Sequence, residues 1–297
     1  MIPRWSYITH VGIGRFFWRT LIRQFAKRVL RCDLNMRLPT GPVLNLPRAS
    51  QAASEIFVTG ADVDWGSEGV FLRYLDRQGC VLDVGANIGY YTLLCAPLVR
   101  AVYAFEPDAR NWPALERNAA RAANVTIVRE AVHRLPGEMA LDVSGDPAVS
   151  RLVAADAGSA TRRTPVTTID LFVEGNETGP VTAIKIDVEG EDLAVLQGAE
   201  ATLAGHAPLV LTEFTRDPGA ANDFGALFDL LDRRGYAAHA FVPSNVSRGL
   251  KTSYRLIRLD RETIAAFPFK MLFLVPPRLA AAFAAGGEAG GVRQARP

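Results

Sequence analysis

The chain of 297 residues is 49% hydrophobic and 22% charged, a globular composition, and its length suits one large α/β domain with terminal extensions. The net charge of +2 is unevenly distributed, because residues 1–32 contain seven basic residues and no Asp or Glu, so residues 33–297 carry a net charge of −5. This acidic balance argues against nucleic acid as a partner, and no apolar stretch of about 18 residues or more predicts a membrane span.

The three cysteines, Cys32, Cys80 and Cys95, are odd in number and lack the spacing of a metal site. Cys80 and Cys95 lie in apolar stretches, as buried free thiols do. Such thiols are typical of a reducing compartment, and residues 5–14 resemble a secretory signal only weakly because polar residues interrupt them. We therefore expect a cytoplasmic protein.

Residues 15–31 predict a basic amphipathic helix. Its apolar face has the spacing of one side of a helix and consists of Trp18, Leu21, Ile22, Phe25 and Val29. Its basic face consists of Arg19, Arg23, Lys27 and Arg31. We favour a helix whose apolar face packs on the domain while its basic face is solvated; a weak contact with an anionic membrane surface is the alternative.

Prolines divide the chain after this helix. Pro39, Pro42 and Pro47, with few periodic apolar residues, predict a connecting segment over residues 33–53. We therefore predict an N-terminal helix and linker over 1–53 and a main domain over 54–285. The Gly-rich, polar residues 286–297 predict a disordered tail.

A buried strand, a glycine turn and a helix start follow one another from Val81 to Thr92. This arrangement predicts a ligand site, in which Gly85 has no Cβ and lets a ligand lie against the backbone. The candidate cofactor-binding residues of the stretch are Asp83, Gly85, Asn87 and Gly89.

The second predicted strand, residues 101–106, ends in Glu106, whose carboxylate can accept hydrogen bonds from both hydroxyls of a ribose. A dinucleotide-binding turn requires glycine at the position of Asn87, so a nicotinamide cofactor is disfavoured. S-adenosylmethionine has a ribose and an adenine but no phosphate, and it suits this turn. Glu130 ends the third predicted strand, 125–130, where the chain would meet the adenine.

Residues 183–190 predict the fourth strand and its turn, with Lys185, Asp187 and Glu189 on one face by their period of two. The fifth strand, 209–214, contains Glu213, and the last two strands are predicted over 237–242 and 271–275. Residues 135–170 predict a hairpin-like insertion.

The alternation of strands and helices predicts a mostly parallel sheet with helices on both faces and a ligand at the carboxyl ends of its strands. Carboxylates at or near these ends are Asp83, Glu106, Glu130, Asp187 and Glu213. Asp187, Glu189 and Glu213 are oxygen ligands suited to a hard cation, but no His accompanies them, so we predict no metal site.

Four segments resemble the FkbM-type methyltransferases: DVGANIGYYT within Val81–Thr92, Phe105-Glu106-Pro107, Thr168-Ile169-Asp170 and IKIDVEGEDLAVLQGA at 184–199. The resemblance covers residues 68–276, and the last segment is its most specific part. Asp192 stands where the family frequently has Glu or an apolar residue, and Glu130 stands where it frequently has Asn.

This resemblance implies a class I methyltransferase with a Rossmann-like, seven-stranded, mostly parallel sheet. It implies S-adenosyl-L-methionine as cofactor and O-methylation of a hydroxyl on a sugar, glycan or polyketide-type natural product. Asp187 is then expected either to take the acceptor's proton or to hold the cofactor's amino group.

The candidate catalytic residues include two neighbours of Asp187. Glu189 is expected to orient Asp187 or the substrate, and Lys185 to oppose the rise in pKa that two adjacent carboxylates cause. A non-catalytic cofactor-binding scaffold and a nicotinamide-dependent oxidoreductase remain the alternative functions.

Overall fold

A computed structural model describes residues 4–147, 150–153, 161–214, 223–246 and 251–288. The N-terminal region contains α1 (Arg4–Val11), α2 (Ile13–Phe25), a π-helical turn (Ala26–Leu30), β1 (Leu34–Arg37), β2 (Val43–Leu46) and α3 (Gln51–Thr59). The predicted connector therefore contains an antiparallel hairpin and the start of a helix. Pro39 and Pro42 lie in the turn between β1 and β2, where a fixed φ is tolerated, and so interrupt neither strand.

The predicted orientation of α2 is wrong. Arg19 faces the protein and donates to the carbonyl of Phe57 at 2.7 Å. Arg23 is only 1% exposed and donates to the carbonyls of Leu46 and Pro47 at 3.1 and 2.6 Å. These backbone acceptors need donors, and a guanidinium supplies several at once in a fixed fork. Arg19 and Arg23 of the basic face therefore pack inward, whereas Arg31 and the apolar face are exposed.

The predicted boundary between residues 53 and 54 falls inside α3. Leu38, Leu44 and Leu46 are buried in the same apolar cluster as Phe71 and Phe273. We propose that the main folding unit begins with the β1–β2 hairpin, because removing the hairpin would open this core.

In chain order, the remaining helices are α4 (Ser67–Arg73), α5 (Tyr90–Cys95), α6 (Trp112–Ala119), α7 (Ile169–Gly175), α8 (Asp192–Gln197), α9 (Glu200–His206), α10 (Phe224–Arg234) and α11 (Ala280–Glu288). The remaining strands are β3 (Cys80–Val84), β4 (Ala101–Phe105), β5 (Val125–Val128), β6 (Ala131–Val132), β7 (Gly137–Asp142), β8 (Arg151–Val153), β9 (Thr161–Thr167), β10 (Val181–Ile186), β11 (Leu209–Thr212), β12 (Ala237–Val246), β13 (Thr252–Leu259) and β14 (Leu272–Val275).

The central sheet has the order β13-β12-β14-β11-β10-β3-β4-β5. Neighbours from β11 to β5 are parallel, whereas β14, β12 and β13 join antiparallel. Val81 and Leu82, adjacent on β3, belong to two different buried clusters, so apolar layers cover both faces of the sheet. The class I α/β fold is confirmed, with eight strands rather than seven because β13 forms a hairpin with β12.

The predicted insertion over residues 135–170 forms part of a second sheet with the order β6-β9-β7-β8. Gly137 pairs with Val166 and Asp142 with Thr161, which places β7 antiparallel to β9. At the chain end, α11 reaches Glu288, beyond the predicted start of the tail, and residues 289–297 lie outside the described residues. No described helix combines the length and apolarity needed to cross a membrane.

Candidate active site

One cleft lies at the carboxyl ends of the parallel strands, as expected for a sheet of this kind. Its lining includes six of the predicted site residues: Gly85, Asn87, Glu106, Glu130, Asp187 and Glu189. The insertion contributes apolar side chains to the opposite wall, among them Leu141, Pro147 and Leu152. The cleft therefore has a carboxylate-rich rim on the sheet and an apolar wall on which a flat ring can pack.

Glu106 follows β4 and is 4% exposed. Its Oε2 accepts a hydrogen bond from the Asn87 backbone at 2.7 Å, and its Oε1 accepts one from the Asp108 backbone at 2.8 Å. Burial raises the pKa of Glu106 to about 7, and these hydrogen bonds oppose the rise. The Asn111 side chain also hydrogen-bonds to this carboxyl group, so three donors fix it in place and part of its acceptor capacity remains for a ligand.

Gly85 has a structural role that the sequence did not reveal. A Cβ at this position would lie 2.0 Å from the carbonyl oxygen of Asp187, and its φ of 81° is left-handed. The Asp187 backbone donates to the carbonyl of Val84 at 3.0 Å, which holds the two strand ends together. The missing Cβ therefore accommodates the chain after β10, while Gly85 still lines the cleft.

Two other candidates lie behind the cleft. Asp83 is 2% exposed and accepts a hydrogen bond from Thr92 at 2.5 Å, which ties β3 to α5; burial raises its pKa. Gly89 precedes α5 with a φ of 88°, and a Cβ there would lie 2.9 Å from Leu115. Asp83 and Gly89 therefore contact other residues of the protein, and neither is among the described residues that line the cleft.

Asp187 follows β10 and is held by two neighbours. The buried ammonium of Lys185 lies 3.2 Å from its Oδ2, and 4.7 Å from the ring centroid of Tyr91. Burial works to raise the pKa of Asp187, but Lys185 and a hydrogen bond from Glu213 outweigh it and hold the pKa below its ordinary value. Burial and the Asp187 charge raise the pKa of Glu213 well above its usual range, which favours the protonated form that donates a hydrogen bond to Asp187.

Glu189 does not share a strand face with Lys185, because β10 ends at Ile186. It is exposed in a turn with a left-handed φ of 52°, followed by Gly190 with a φ of 95°. It nevertheless lines the cleft, as do Glu130 and Glu191. Glu191 lies 3.6 Å from the imidazole of His133, a nonlocal pair that sequence spacing does not indicate.

Hydrogen bonds from Arg110 hold the insertion in place beside the cleft. Its guanidinium donates to Asp108 at 2.7 Å and to the carbonyls of Val143 and Gly145 at 2.9 and 2.8 Å. Ser150 also donates to Asp108, at 2.7 Å. Asp108 comes directly after Glu106 and Pro107, and that position is a sequence signal from which this cluster could have been predicted.

The residues around the cleft also lie within a region of the sequence that matches a known protein family. The family model described as the methyltransferase FkbM domain matches residues 83–238, more than half of the chain. The chain belongs to the FkbM methyltransferase family. The matched region contains all of the residues that line the cleft.

Solved structures similar to this FkbM methyltransferase include FkbM from Methylobacillus flagellatus KT, with 17% identity and a TM-score of 0.44, covering 67% of this chain and 44% of that one. An rRNA methylase from Streptococcus thermophilus has 14% identity and a TM-score of 0.39, covering 71% and 93%. Precorrin-6y C5,15-methyltransferase from Geobacter metallireducens GS-15 has 12% identity and a TM-score of 0.36, covering 70% and 87%. No curated protein matches the chain.

The FkbM methyltransferase has a buried polar network next to Lys185 that the sequence did not predict. Lys270 lies 2.8 Å from Asp64, and Tyr91 donates to Asp64 at 2.6 Å. Glu68 accepts from the Asp64 backbone at 3.0 Å and from Tyr90 at 3.1 Å; burial, then Asp64, raises its pKa well above the ordinary value. Among the described residues, no cluster of three or more His, Cys, Asp or Glu is arranged to hold a metal ion.

Proposed function

We propose that the protein transfers a methyl group from S-adenosyl-L-methionine to a hydroxyl oxygen of a small-molecule or glycan acceptor. The observation that carries this proposal is Glu106, a buried double acceptor at the end of β4 in the cleft of an FkbM methyltransferase. Its remaining acceptor capacity suits the hydroxyls of a ribose.

The cleft residues fit this cofactor. The Asn87 side-chain oxygen is buried without a hydrogen-bond partner, so a ligand that donates there would satisfy it. Leu141, Pro147 and Leu152 supply an apolar wall for the adenine, with Glu130 beside it. When bound, S-adenosylmethionine would supply an activated methyl group and leave as S-adenosylhomocysteine, and the acceptor hydroxyl would release its proton to solvent.

Asp187 is assigned to the cofactor's amino group rather than to proton removal. A good general base has a pKa near the working pH, whereas Lys185 and Glu213 hold the pKa of Asp187 low. An anionic acceptor of this kind suits a cationic amine. Lys185 keeps Asp187 in place, and Glu189 lies at the rim, where it can orient the acceptor.

A small or glycan acceptor is favoured over nucleic acid by the charge of the cleft. Five residues with carboxyl groups line it, against one arginine, Arg151: Glu106, Glu130, Asp187, Glu189 and Glu191. A polyanionic backbone would be repelled by these carboxylates, whereas hydroxyl groups can donate to them.

The decisive experiment is turnover of radiolabelled S-adenosylmethionine against sugars, glycans, polyketides and structured RNA. We expect label in a hydroxylated acceptor and none in RNA. Calorimetric titrations with S-adenosylmethionine and NAD run alongside. Cofactor binding without turnover on any acceptor would support the scaffold alternative, and saturable binding of NAD alone would overturn the proposal.

The pKa of Glu106 gives the proposal a pH test. Because that pKa is about 7, Glu106 ionises as the pH rises through neutrality, and only its carboxylate fully accepts from both hydroxyls. The affinity for S-adenosylmethionine should therefore rise between about pH 6 and pH 8. The unliganded fold should lose stability between about pH 4.5, the ordinary pKa of a Glu, and about pH 7, and little above that.

Glu106→Gln keeps the shape of the side chain and removes this ionisation. Its affinity at about pH 8 should be about 10- to 100-fold lower, the scale of a hydrogen bond to a charged group. Calorimetry on both proteins across the pH range measures the difference. If the two affinities change with pH in parallel, Glu106 does not hold the ribose.

A further inference from the structure

The exposed side of α2 and its π-helical turn is the largest concentration of apolar surface among the described residues. The described residues include twelve exposed large apolar side chains, and eight of them belong to this surface: Ile13, Phe17, Trp18, Leu21, Ile22, Phe25, Val29 and Leu30. They are between 37% and 64% exposed. Patches of this kind on a protein surface mark sites of interaction. We call these eight residues the apolar face.

The protein itself holds the apolar face outward. On the opposite side of the helix, Arg23 is 1% exposed and donates to two backbone carbonyls and to Ser54 at 3.2 Å. Arg19 donates to Phe57 and stacks over its ring at 5.7 Å. Rolling the helix inward would break these bonds and leave a guanidinium and its acceptors unsatisfied, so the exposure is built into the fold.

Charges border the apolar face. Arg15, Arg28 and Arg31 are exposed, and Lys27 is half-buried. Residues 1–32 contain no carboxylate side chain to balance them. A helix with an apolar face bordered by cations complements a surface that is apolar beneath and anionic on top.

We propose that α2 and its π-helical turn dock in the plane of an anionic phospholipid membrane. The apolar face enters the boundary between headgroups and acyl chains, and Arg15, Arg28 and Arg31 contact lipid phosphates. The helix lies on the membrane and does not cross it, in keeping with the absence of a spanning helix among the described residues. This inference is independent of methyl transfer.

Co-sedimentation of the full chain with vesicles tests the proposal. We expect binding to equimolar phosphatidylcholine and phosphatidylglycerol, and far weaker binding to phosphatidylcholine alone. The double variant Phe17→Glu/Phe25→Glu should lower the partition coefficient by about 100-fold or more, because two apolar side chains no longer enter the lipid. The double variant Arg15→Gln/Arg28→Gln should lower it by about 20-fold, since each charge contributes near an anionic surface.

Matched controls carry the same changes outside the apolar face. Leu135→Glu/Phe267→Glu replaces exposed apolar residues, and Arg73→Gln/Arg77→Gln replaces exposed arginines. Both should bind vesicles like the wild type. The proposal is overturned if the controls lose binding equally, or if neutral vesicles bind as tightly as anionic ones. It is also overturned if the wild type ignores vesicles and instead forms dimers that Phe17→Glu/Phe25→Glu abolishes, since a second copy would then cover the face.

Discussion

Gly85→Ala is expected to destabilise the fold by about 3–5 kcal/mol and to abolish cofactor binding. This is the largest effect that we predict for the addition of a single methyl group to this chain. The added Cβ would lie 2.0 Å from the Asp187 carbonyl oxygen, and it would sit on a backbone with a φ of 81°. The clash is with backbone, so no side-chain rotation relieves it, and the ends of β3 and β10 must separate. Denaturant unfolding and calorimetric titration measure both effects.

Gly66→Ala is the matched control for this prediction. Gly66 has a φ of 90°, and nothing lies within 4 Å of the position that its Cβ would occupy. It isolates the cost of the left-handed backbone, about 1 kcal/mol. Equal destabilisation by the two variants would mean that the contact with Asp187 contributes nothing.

Asp187→Asn is expected to lower the affinity for S-adenosylmethionine by about 10- to 100-fold while turnover at saturating cofactor stays near wild type. The substitution keeps the shape of the side chain and removes the charge that would hold the cofactor's amino group. Lys185 keeps Asp64 and Asp83 as negative neighbours, so the fold should persist. Calorimetry and turnover with radiolabelled cofactor separate the two quantities.

Glu213→Gln serves as the control for Asp187. Its amide still donates to the Asp187 carboxylate, so the affinity should remain near wild type. The opposite pattern for Asp187→Asn, with unchanged affinity and turnover reduced by about 10²- to 10⁴-fold, would identify Asp187 as the general base. Wild-type values for both quantities would make Asp187 a purely structural residue.

The fold could be predicted from sequence because its signals are local. The apolar run of β3, the turn at Gly85 and the strand ending at Glu106 each lie within a few residues, and the order of strands and helices then limits the topology. The sequence does not predict the β1–β2 hairpin, because Pro39, Pro42 and Pro47 indicate breaks. Pro39 and Pro42 in fact lie in its turn, and Pro47 follows β2. The eighth strand was missed because β13 contains too few apolar residues in strict alternation.

The partners in the site could not be predicted, since they are brought together by the sheet. Glu213 meets Asp187 only because β11 pairs with β10, and Lys270 meets Asp64 across the whole domain. The amphipathic pattern of α2 predicts that the helix has two faces, but it does not predict which face packs inward. That choice depended on the carbonyls of Leu46 and Pro47, which lie in a part of the chain with no pattern of its own.

The hairpin of β12 and β13 determines which backbone groups and side chains this edge of the sheet presents to other copies of the protein. Without β13, the outermost strand would be β12, whose apolar Ala238, Ala240 and Phe241 would present unpaired backbone groups to any exposed strand. With β13 in place, the edge carries exposed Arg255 and Arg258. Two like charges on each molecule repel when edges approach, so the extra strand protects the sheet against edge-to-edge aggregation.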